Sequence, residues 1–205
     1  MIFRRNKTSD KPNANIAFVG CGYVADYYAQ SIKKHSELNL IGVFDKNIKK
    51  ATNFGKFYNV PVYNKFQSLL NNKDIEIIVN LTNPDSHYTV SKACLEHGIH
   101  VYSEKPLTKN LEEAKRLVNI ARRNGLLISS APCSLFGKTA QTIKKALRGN
   151  SIGKVKLVYA ELDEGPIHIE NPDRWKSKSG NAFPYIDEFS NGCILELSSY
   201  HLSWL

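Results

Sequence analysis

A short run near the N-terminus has the residue types and spacing that bind phosphate. Gly20-Cys21-Gly22-Tyr23-Val24-Ala25 fits the pattern G-x-G-x-x-A. In this pattern the first glycine permits a sharp turn, the second lets the backbone approach a pyrophosphate, and the small last residue lets a helix pack closely on a strand. The helix N-terminus then offers unpaired N–H groups and a partial positive charge. We expect the pyrophosphate of a dinucleotide to bind here.

An acidic residue follows at the distance that a dinucleotide site requires. Asp45 comes after the apolar run Ile41-Gly42-Val43-Phe44, where a carboxylate accepts hydrogen bonds from ribose hydroxyls. A carboxylate also repels a 2′-phosphate, which favours NAD over NADP. Lys46 comes next and could pair with that phosphate, so NADP stays open. Asp45 could instead be a helix N-cap before Ile48, or it could serve both roles.

The elements that position these residues alternate along the chain. Apolar runs predict strands at 16–19, 38–45, 60–63, 75–81, 99–102 and 126–128, and periodicity predicts helices at 23–34, 47–57, 66–70, 84–97 and 110–124. Alternating strands and helices with short loops indicate right-handed crossovers and a parallel sheet. The predicted fold class is therefore α/β, with a doubly wound Rossmann sheet over residues 14–131, after a loose tail at 1–13.

The regular alternation stops near Ala131-Pro132. A helix is expected at 139–148, a long alternating strand at 154–164, and a last helix near Gly192. We interpret residues 132–205 as the incomplete start of a second, open-sheet α/β domain. Because a lone strand cannot form a stable sheet, we expect a fragment, a truncated gene product or a chain that another chain completes.

Two further motifs carry a family resemblance. Ser103-Glu104-Lys105-Pro106-Leu107 directly follows the strand at 99–102, and Asn80-Leu81-Thr82-Asn83-Pro84-Asp85-Ser86-His87 follows the strand before it. With the glycine-rich turn, and in this order and spacing, they resemble the glucose–fructose oxidoreductase / inositol dehydrogenase / rhizopine-catabolism oxidoreductase family. The resemblance runs from about Asn15 to the end of the chain. It implies hydride transfer between a nicotinamide and a carbinol carbon, usually of a sugar, polyol or nucleotide-linked sugar.

The resemblance also implies roles for residues in these motifs. Lys105 lies beside the nicotinamide and the substrate hydroxyl, where its cation stabilises a developing alkoxide and relays a proton, especially with a pKa lowered by burial and nearby charge. Glu104 orients it. Outside the family context, Lys105 would be an exposed loop lysine. The segment after the strand at 75–81 is implied to lie along the cofactor, with Thr82, Asn83, Pro84 and His87 in contact with it.

The distal motif is Gly192-Cys193-Ile194-Leu195-Glu196-Leu197-Ser198-Ser199-Tyr200-His201. Aligned without gaps, His201 falls on a family histidine that is a candidate general acid or base. The family's aspartate position holds Leu197, with Glu196 beside it. Because one residue turns a helical side chain by about 100°, Glu196 is not an automatic replacement. A surface or core role for His201 is the alternative. Trp175-Lys176 resembles the family's Trp-Arg near the substrate.

Composition limits the classes of partner. Lys and Arg outnumber Asp and Glu by 28 to 19, for a net charge of +9, but the cations are scattered in pairs on predicted helix surfaces and no nucleic-acid recognition motif accompanies them. No apolar run approaches the roughly 20 residues that span a bilayer. The four cysteines form no C-x-x-C pair, which favours free thiols in the cytoplasm and no metal site.

These observations leave two classes of function open. The first is an NAD(P)-dependent oxidoreductase with a sugar-like substrate, which we expect to be a homo-oligomer if its second domain is complete. The second is a dinucleotide-binding module without turnover. The glycine-rich turn and Asp45 serve both, whereas Lys105 and His201 distinguish them.

Overall fold

The computed structural model describes residues 14–132, 134–161 and 171–203. Strands and helices alternate through the first of these ranges. They are β1 (Ala14–Val19), α1 (Tyr23–Ile32), β2 (Leu38–Phe44), α2 (Ile48–Tyr58), α3 (Phe66–Leu70), β3 (Ile77–Asn80), α4 (Pro84–Glu96), β4 (His100–Ser103), α5 (Leu111–Arg123) and β5 (Ile128–Ser130). The later elements are a 3-10 turn (Ser134–Phe136), α6 (Lys138–Arg148), a second 3-10 turn (Pro172–Arg174), α7 (Tyr185–Asn191) and α8 (Cys193–Leu202).

The strands form one parallel sheet in the order β2-β1-β3-β4-β5. β1 lies at the point where the strand order reverses, because β2 pairs on one side of it and β3 on the other. Ligands of open α/β sheets bind in the crevice at this position, beyond the carboxyl ends of the strands. The turns after β1 and β3 therefore face the expected site.

Alternate residues of β1 supply the cores on both faces of the sheet. Ile16 and Phe18 point towards α1 and α2, where Phe18 packs with Phe54 at a ring-centroid distance of 6.2 Å. Ala17 and Val19 point to the opposite face, in a cluster with Leu95 and Leu117 of α4 and α5. Burial on both faces explains why β1 is continuously apolar instead of alternating.

The predicted fold class is confirmed, and most predicted elements match the structure within a few residues. The predicted strand at 60–63 is reduced to one parallel bridge between Val62 and Val43, at the β2 edge of the sheet. Pro61 has no N–H to donate to a ladder, which accounts for the short pairing.

The strand predicted at 154–164 is wrong for the described residues 154–161, which form neither strand nor helix. Their alternating side chains have no sheet to pack on, and Leu157 and Tyr159 are 86% and 82% exposed. Residues 162–164 and the predicted tail at 1–13 lie outside the described residues. In the described part of the chain after residue 131, extended pairing is confined to a bridge between Lys176 and Ala182.

Candidate cofactor and catalytic site

The glycine-rich turn has the geometry that a pyrophosphate requires. Gly20 has a φ of +101°, and a Cβ there would lie 2.5 Å from the carbonyl oxygen of Leu81, so only glycine fits. Around Gly22, in contrast, a Cβ would meet no atom of residues 14–132, 134–161 and 171–203 within 4 Å. α1 begins at Tyr23, and no side chain caps it at Gly22. The open space and the uncapped N-terminus fit an anionic ligand, while buried Ala25 lets α1 pack closely on the sheet.

Asp45 connects the end of β2 to this turn. Its Oδ2 accepts a hydrogen bond of 2.8 Å from the N–H of Cys21, and its Oδ1 accepts one of 2.7 Å from the N–H of Asn47. The alternative role of Asp45 as a helix cap is wrong, because the side chain of Asn47 caps α2. Lys46 lies exposed beside them. The carboxylate therefore supports the turn and stays within reach of a ribose bound there.

Cys21 is a structural residue of the turn. Its side chain is buried, and its Sγ lies 3.8 Å from the carbonyl oxygen of Phe44. Burial, followed by the charges of Asp45 and Asp26, raises the pKa of the Cys21 thiol far above its ordinary value. The thiol is thus neutral and unreactive at physiological pH. Tyr23 and Val24 are partly exposed beside it.

The segment after β3 forms the neighbouring wall. Asn80 is buried, and its side chain accepts a hydrogen bond of 2.7 Å from the hydroxyl of Thr82. Asn83 and Pro84 begin α4 at the N-cap and the first turn. His87 is buried, with ring nitrogens 2.8 Å from the carbonyl oxygen of Thr82 and 2.6 Å from that of Pro106. This placement favours a role for His87 in joining the two loops over direct contact with a cofactor.

Glu104 holds the backbone of the Glu-Lys-Pro loop. Its Oε1 accepts a 2.6 Å hydrogen bond from the hydroxyl of Tyr28 in α1, and its Oε2 accepts a 2.9 Å bond from the N–H of Lys105. The peptide bond between Lys105 and Pro106 is cis. Glu104 therefore orients Lys105 through its main chain, and it ties the loop to the helix that follows the glycine-rich turn.

Lys105 makes a buried ion pair with Glu196 of α8. Its Nζ lies 2.6 Å from Oε2 and donates a second bond of 2.9 Å to the carbonyl oxygen of the same residue. Nζ also lies 5.5 Å from the centroid of the Tyr200 ring. Burial alone would lower the pKa of Lys105, but the hydrogen bond and charge of Glu196 outweigh it and raise the pKa. A pKa lowered by burial, the condition under which Lys105 would be especially suited to relay a proton, is therefore not found beside Glu196.

The periodicity of α8 explains why Glu196 meets Lys105. Glu196 and Tyr200 are one turn apart and share the face that contacts Lys105. Leu197 and His201 lie on the next face, rotated by about 100°, and Nδ1 of His201 is 3.3 Å from the carbonyl oxygen of Leu197. The sequence did indicate a carboxylate here, since Glu196 belongs to the distal motif. Only the rotation of α8 about its axis shows that Glu196, and not position 197, faces Lys105.

The comparisons with known proteins agree with this fold. The sequence model of the family described as "Oxidoreductase family, NAD-binding Rossmann fold" matches residues 14–131. Because the match covers more than half of the chain, the protein belongs to this family of glucose–fructose oxidoreductase, inositol dehydrogenase and rhizopine-catabolism oxidoreductases. The sequence resemblance and the NAD-binding Rossmann domain are confirmed.

Individual relatives span a range of similarity. Trans-1,2-dihydrobenzene-1,2-diol dehydrogenase of Xenopus laevis is 32% identical over 125 residues, which are 60% of this chain and 38% of that protein. An NAD-binding oxidoreductase from Klebsiella pneumoniae has 23% identity and a TM-score of 0.65, over 69% of this chain and 40% of that one. The WlbA dehydrogenase from Bordetella pertussis, solved with NADH and UDP-GlcNAcA, has 22% identity and a TM-score of 0.67, over 72% and 42%.

The similarity to the Klebsiella pneumoniae and Bordetella pertussis structures shows a shared fold.

The chain spans about half the length of the curated relatives it matches. Within residues 14–132, 134–161 and 171–203, none of the helices has the length and apolar character that crossing a membrane needs.

Proposed function

We propose that the protein is an NAD(P)-dependent oxidoreductase that acts on a CH–OH group of a sugar, polyol or nucleotide-linked sugar. Residues 14–131 would form its cofactor domain, and residues 132–205 would belong to its substrate domain. The observation that carries the proposal is the ion pair between Glu196 of α8 and Lys105, whose loop Glu104 ties to α1.

Cofactor binding is assigned to three parts of the site. The turn at Gly20–Ala25 would hold the pyrophosphate, and Asp45 would accept hydrogen bonds from ribose hydroxyls. Lys46, the next residue, would pair with the 2′-phosphate if the cofactor is NADP. Thr82, Asn83 and Pro84 would line the cofactor on the other side of the crevice. When bound, the nicotinamide supplies or accepts the hydride.

Lys105 and Glu196 would stabilise negative charge on the substrate oxygen and transfer its proton. The raised pKa keeps Lys105 protonated at neutral pH, so it can stabilise a developing alkoxide at once. An ammonium has three N–H groups, and two of the Lys105 groups bond Glu196. We assign the third to the substrate oxygen. To take the proton of the substrate hydroxyl, Nζ would first pass one of its own protons to the Glu196 carboxylate. The ammonium is then formed again and faces the alkoxide, so that the net transfer is from the hydroxyl to Glu196.

The substrate class rests on the family and on two relatives. One is named for a ring diol, and the other was solved with the sugar nucleotide UDP-GlcNAcA. Both molecules carry hydroxyl groups on a ring, which is the chemistry that an ammonium paired with a carboxylate can serve. His201 remains a predicted acid or base on the neighbouring face of α8.

The proposal is tested by incubating the protein with NAD or NADP and a panel of polyols, sugars and nucleotide-sugars, while the absorbance of the reduced nicotinamide is followed. Lys105→Met should remove any turnover. Lys109→Met is the matched control, since Lys109 lies in the same loop but pairs with exposed Asp85. In a form of the protein that turns substrate over, equal and measurable turnover in wild type and Lys105→Met would refute the catalytic role of Lys105.

A second candidate is a dinucleotide-binding module without turnover. The specific observation in its favour is the exposure of the apolar side chains at Leu157 and Tyr159, which shows that the described residues do not assemble a second sheet around the substrate side. This candidate predicts NADH binding that neither Lys105→Met nor Glu196→Gln changes, and no product from any member of the panel.

A further inference from the structure

A second buried carboxylate, Asp26, lies directly after the glycine-rich turn and has no part in the proposed chemistry. Its side chain is in the first turn of α1, and the residue is only 1% exposed. A buried carboxylate is costly unless hydrogen bonds satisfy it. Asp26 accepts bonds from the hydroxyl of Tyr58 at 2.6 Å, from the N–H of Ser179 at 2.9 Å and from the hydroxyl of Ser179 at 2.7 Å.

Two of these bonds come from a residue that is 153 positions away in the sequence. Ser179 lies in residues 171–183, a segment that we name the strap. Within it, the N–H of Ser177 bonds the carbonyl of Asn181 at 2.8 Å, and the N–H of Phe183 bonds the carbonyl of Trp175 at 3.0 Å. The chain thus folds back tightly on itself, and the turn presents both donors of Ser179 to Asp26.

The aromatic residues of the strap meet the glycine-rich turn itself. The ring of Phe183 packs against Tyr23 at a centroid distance of 5.2 Å and against Trp175 at 5.1 Å. Tyr23 is the first residue of α1 and belongs to the G-x-G-x-x-A motif. The strap is therefore fastened at Asp26 and reaches the turn with its rings.

We infer that Asp26 is a positioning residue, whose carboxylate latches the strap to α1 so that Trp175, Phe183 and Tyr23 form a wall beside the bound dinucleotide and slow its release. The inference rests on cofactor binding at the Gly20–Ala25 turn, and it assigns the latch no part in hydride transfer. If Asp26 acts in this way, the rate of cofactor dissociation depends on the contact between Asp26 of α1 and Ser179 of the strap.

Two single-hydroxyl variants test the latch, because each removes one donor from the same carboxylate. Ser179→Ala loses the donor on the strap, whereas Tyr58→Phe loses the donor at the end of α2. Stopped-flow fluorescence would measure the dissociation rate of NADH from each variant. We expect Ser179→Ala to release NADH about tenfold faster, since a hydrogen bond to a charged group is typically worth a factor of this order or more. Ser179→Thr, which keeps the hydroxyl, should restore the wild-type rate.

Tyr58→Phe should lower the stability of the fold without changing NADH dissociation. A purely structural role of Asp26 would give equal dissociation rates in wild type, Ser179→Ala and Tyr58→Phe, and this result would overturn the proposal. Whether the wild-type chain binds NADH at all tests the proposed function. The latch is tested separately, by the NADH dissociation rate of Ser179→Ala relative to the rates of wild type and Tyr58→Phe.

A cofactor-free readout keeps the two questions separate. Replacing Trp204 with Phe leaves Trp175 as the sole tryptophan, since the chain has two. In that background, Ser179→Ala should shift the emission of Trp175 to longer wavelength as the strap leaves α1, and Tyr58→Phe should not. An unchanged Trp175 emission in Ser179→Ala would show that Asp26 does not hold the strap.

Discussion

The Nζ of Lys105 and the Oε2 of Glu196 lie 2.6 Å apart, and the side chains are only 14% and 9% exposed. The loop that carries Lys105 and the helix that carries Glu196 are thereby joined by opposite charges at a place that is largely shielded from solvent. Removing one partner of such a pair leaves an uncompensated buried charge, which typically costs about 3–5 kcal/mol.

We expect Lys105→Met and Glu196→Leu to destabilise the protein separately and to compensate each other when combined. The physical reason is that the double variant buries no charge, and apolar replacement of a buried pair is often neutral. Urea unfolding of the two single variants and the double variant measures the coupling. Additive losses in the double variant would contradict the buried pairing.

The same pair predicts a dependence of stability on pH. The folded pKa of Lys105 is raised above its ordinary value of 10.5, so the unfolded chain loses this proton at a lower pH than the folded chain does. The stability from the pair is fully present below pH 10.5 and falls as the pH rises through the raised pKa. The difference in unfolding free energy between wild type and Lys105→Met should shrink over that alkaline range, and a difference that grows there would contradict the assignment.

Asp45 is expected to set the preference between the two nicotinamide cofactors. Asp45→Asn keeps an oxygen that can accept the N–H of Cys21 or Asn47 and removes the charge. We expect the affinity for NADP relative to NAD to improve about tenfold or more, since like charges about 4 Å apart repel by about 1 kcal/mol in water and by more near a protein surface. Calorimetric titration of both cofactors measures this ratio.

Lys46→Ala is the matched variant for that titration. It should weaken NADP binding and leave NAD binding almost unchanged, because its ammonium would face only a 2′-phosphate. A wild-type protein that already prefers NADP strongly would mean that Lys46, not Asp45, decides the choice of cofactor.

Lys105 is expected to affect turnover far more than binding. In any form of the protein that turns substrate over, Lys105→Ala should retain NADH affinity and lose about 10²–10⁴ in rate, the usual loss for a proton-transfer group. His201→Ala should cost less, because Glu196, not the Leu197 position, faces Lys105. We expect the 205-residue chain itself to bind cofactor with little turnover, since the described residues leave Leu157 and Tyr159 exposed. Robust sugar oxidation by this chain would contradict that expectation.

Local patterns sufficed to predict the Rossmann half of the structure. The apolar run of β1, the glycines at 20 and 22 and the Pro84 start of α4 each act through their own backbone or nearest neighbours, so their effects can be inferred from the sequence. The alternating residues at 154–161 could not be interpreted in this way, because a strand exists only where a partner pairs with it.

The sequence was sufficient to predict individual residues of the site, but not which distant residues contact each other there. Lys105 and Asp45 follow strands whose carboxyl ends meet at one edge of the sheet, which spacing alone indicates. The contacts of Glu196 with Lys105 and of Ser179 with Asp26 join positions that are 91 and 153 residues apart. Such contacts depend on how the later helices and turns pack against the Rossmann domain, so they cannot be predicted from a local sequence pattern.

NADH titration of Gly22→Val and Lys105→Ala by isothermal calorimetry tests most directly where the cofactor lies. A Cβ at Gly22 would meet none of the described residues within 4 Å, so valine should leave the fold intact while occupying the space of the pyrophosphate. We predict that Gly22→Val loses measurable NADH binding and that Lys105→Ala binds like wild type. Unchanged NADH affinity in Gly22→Val would contradict binding at this turn.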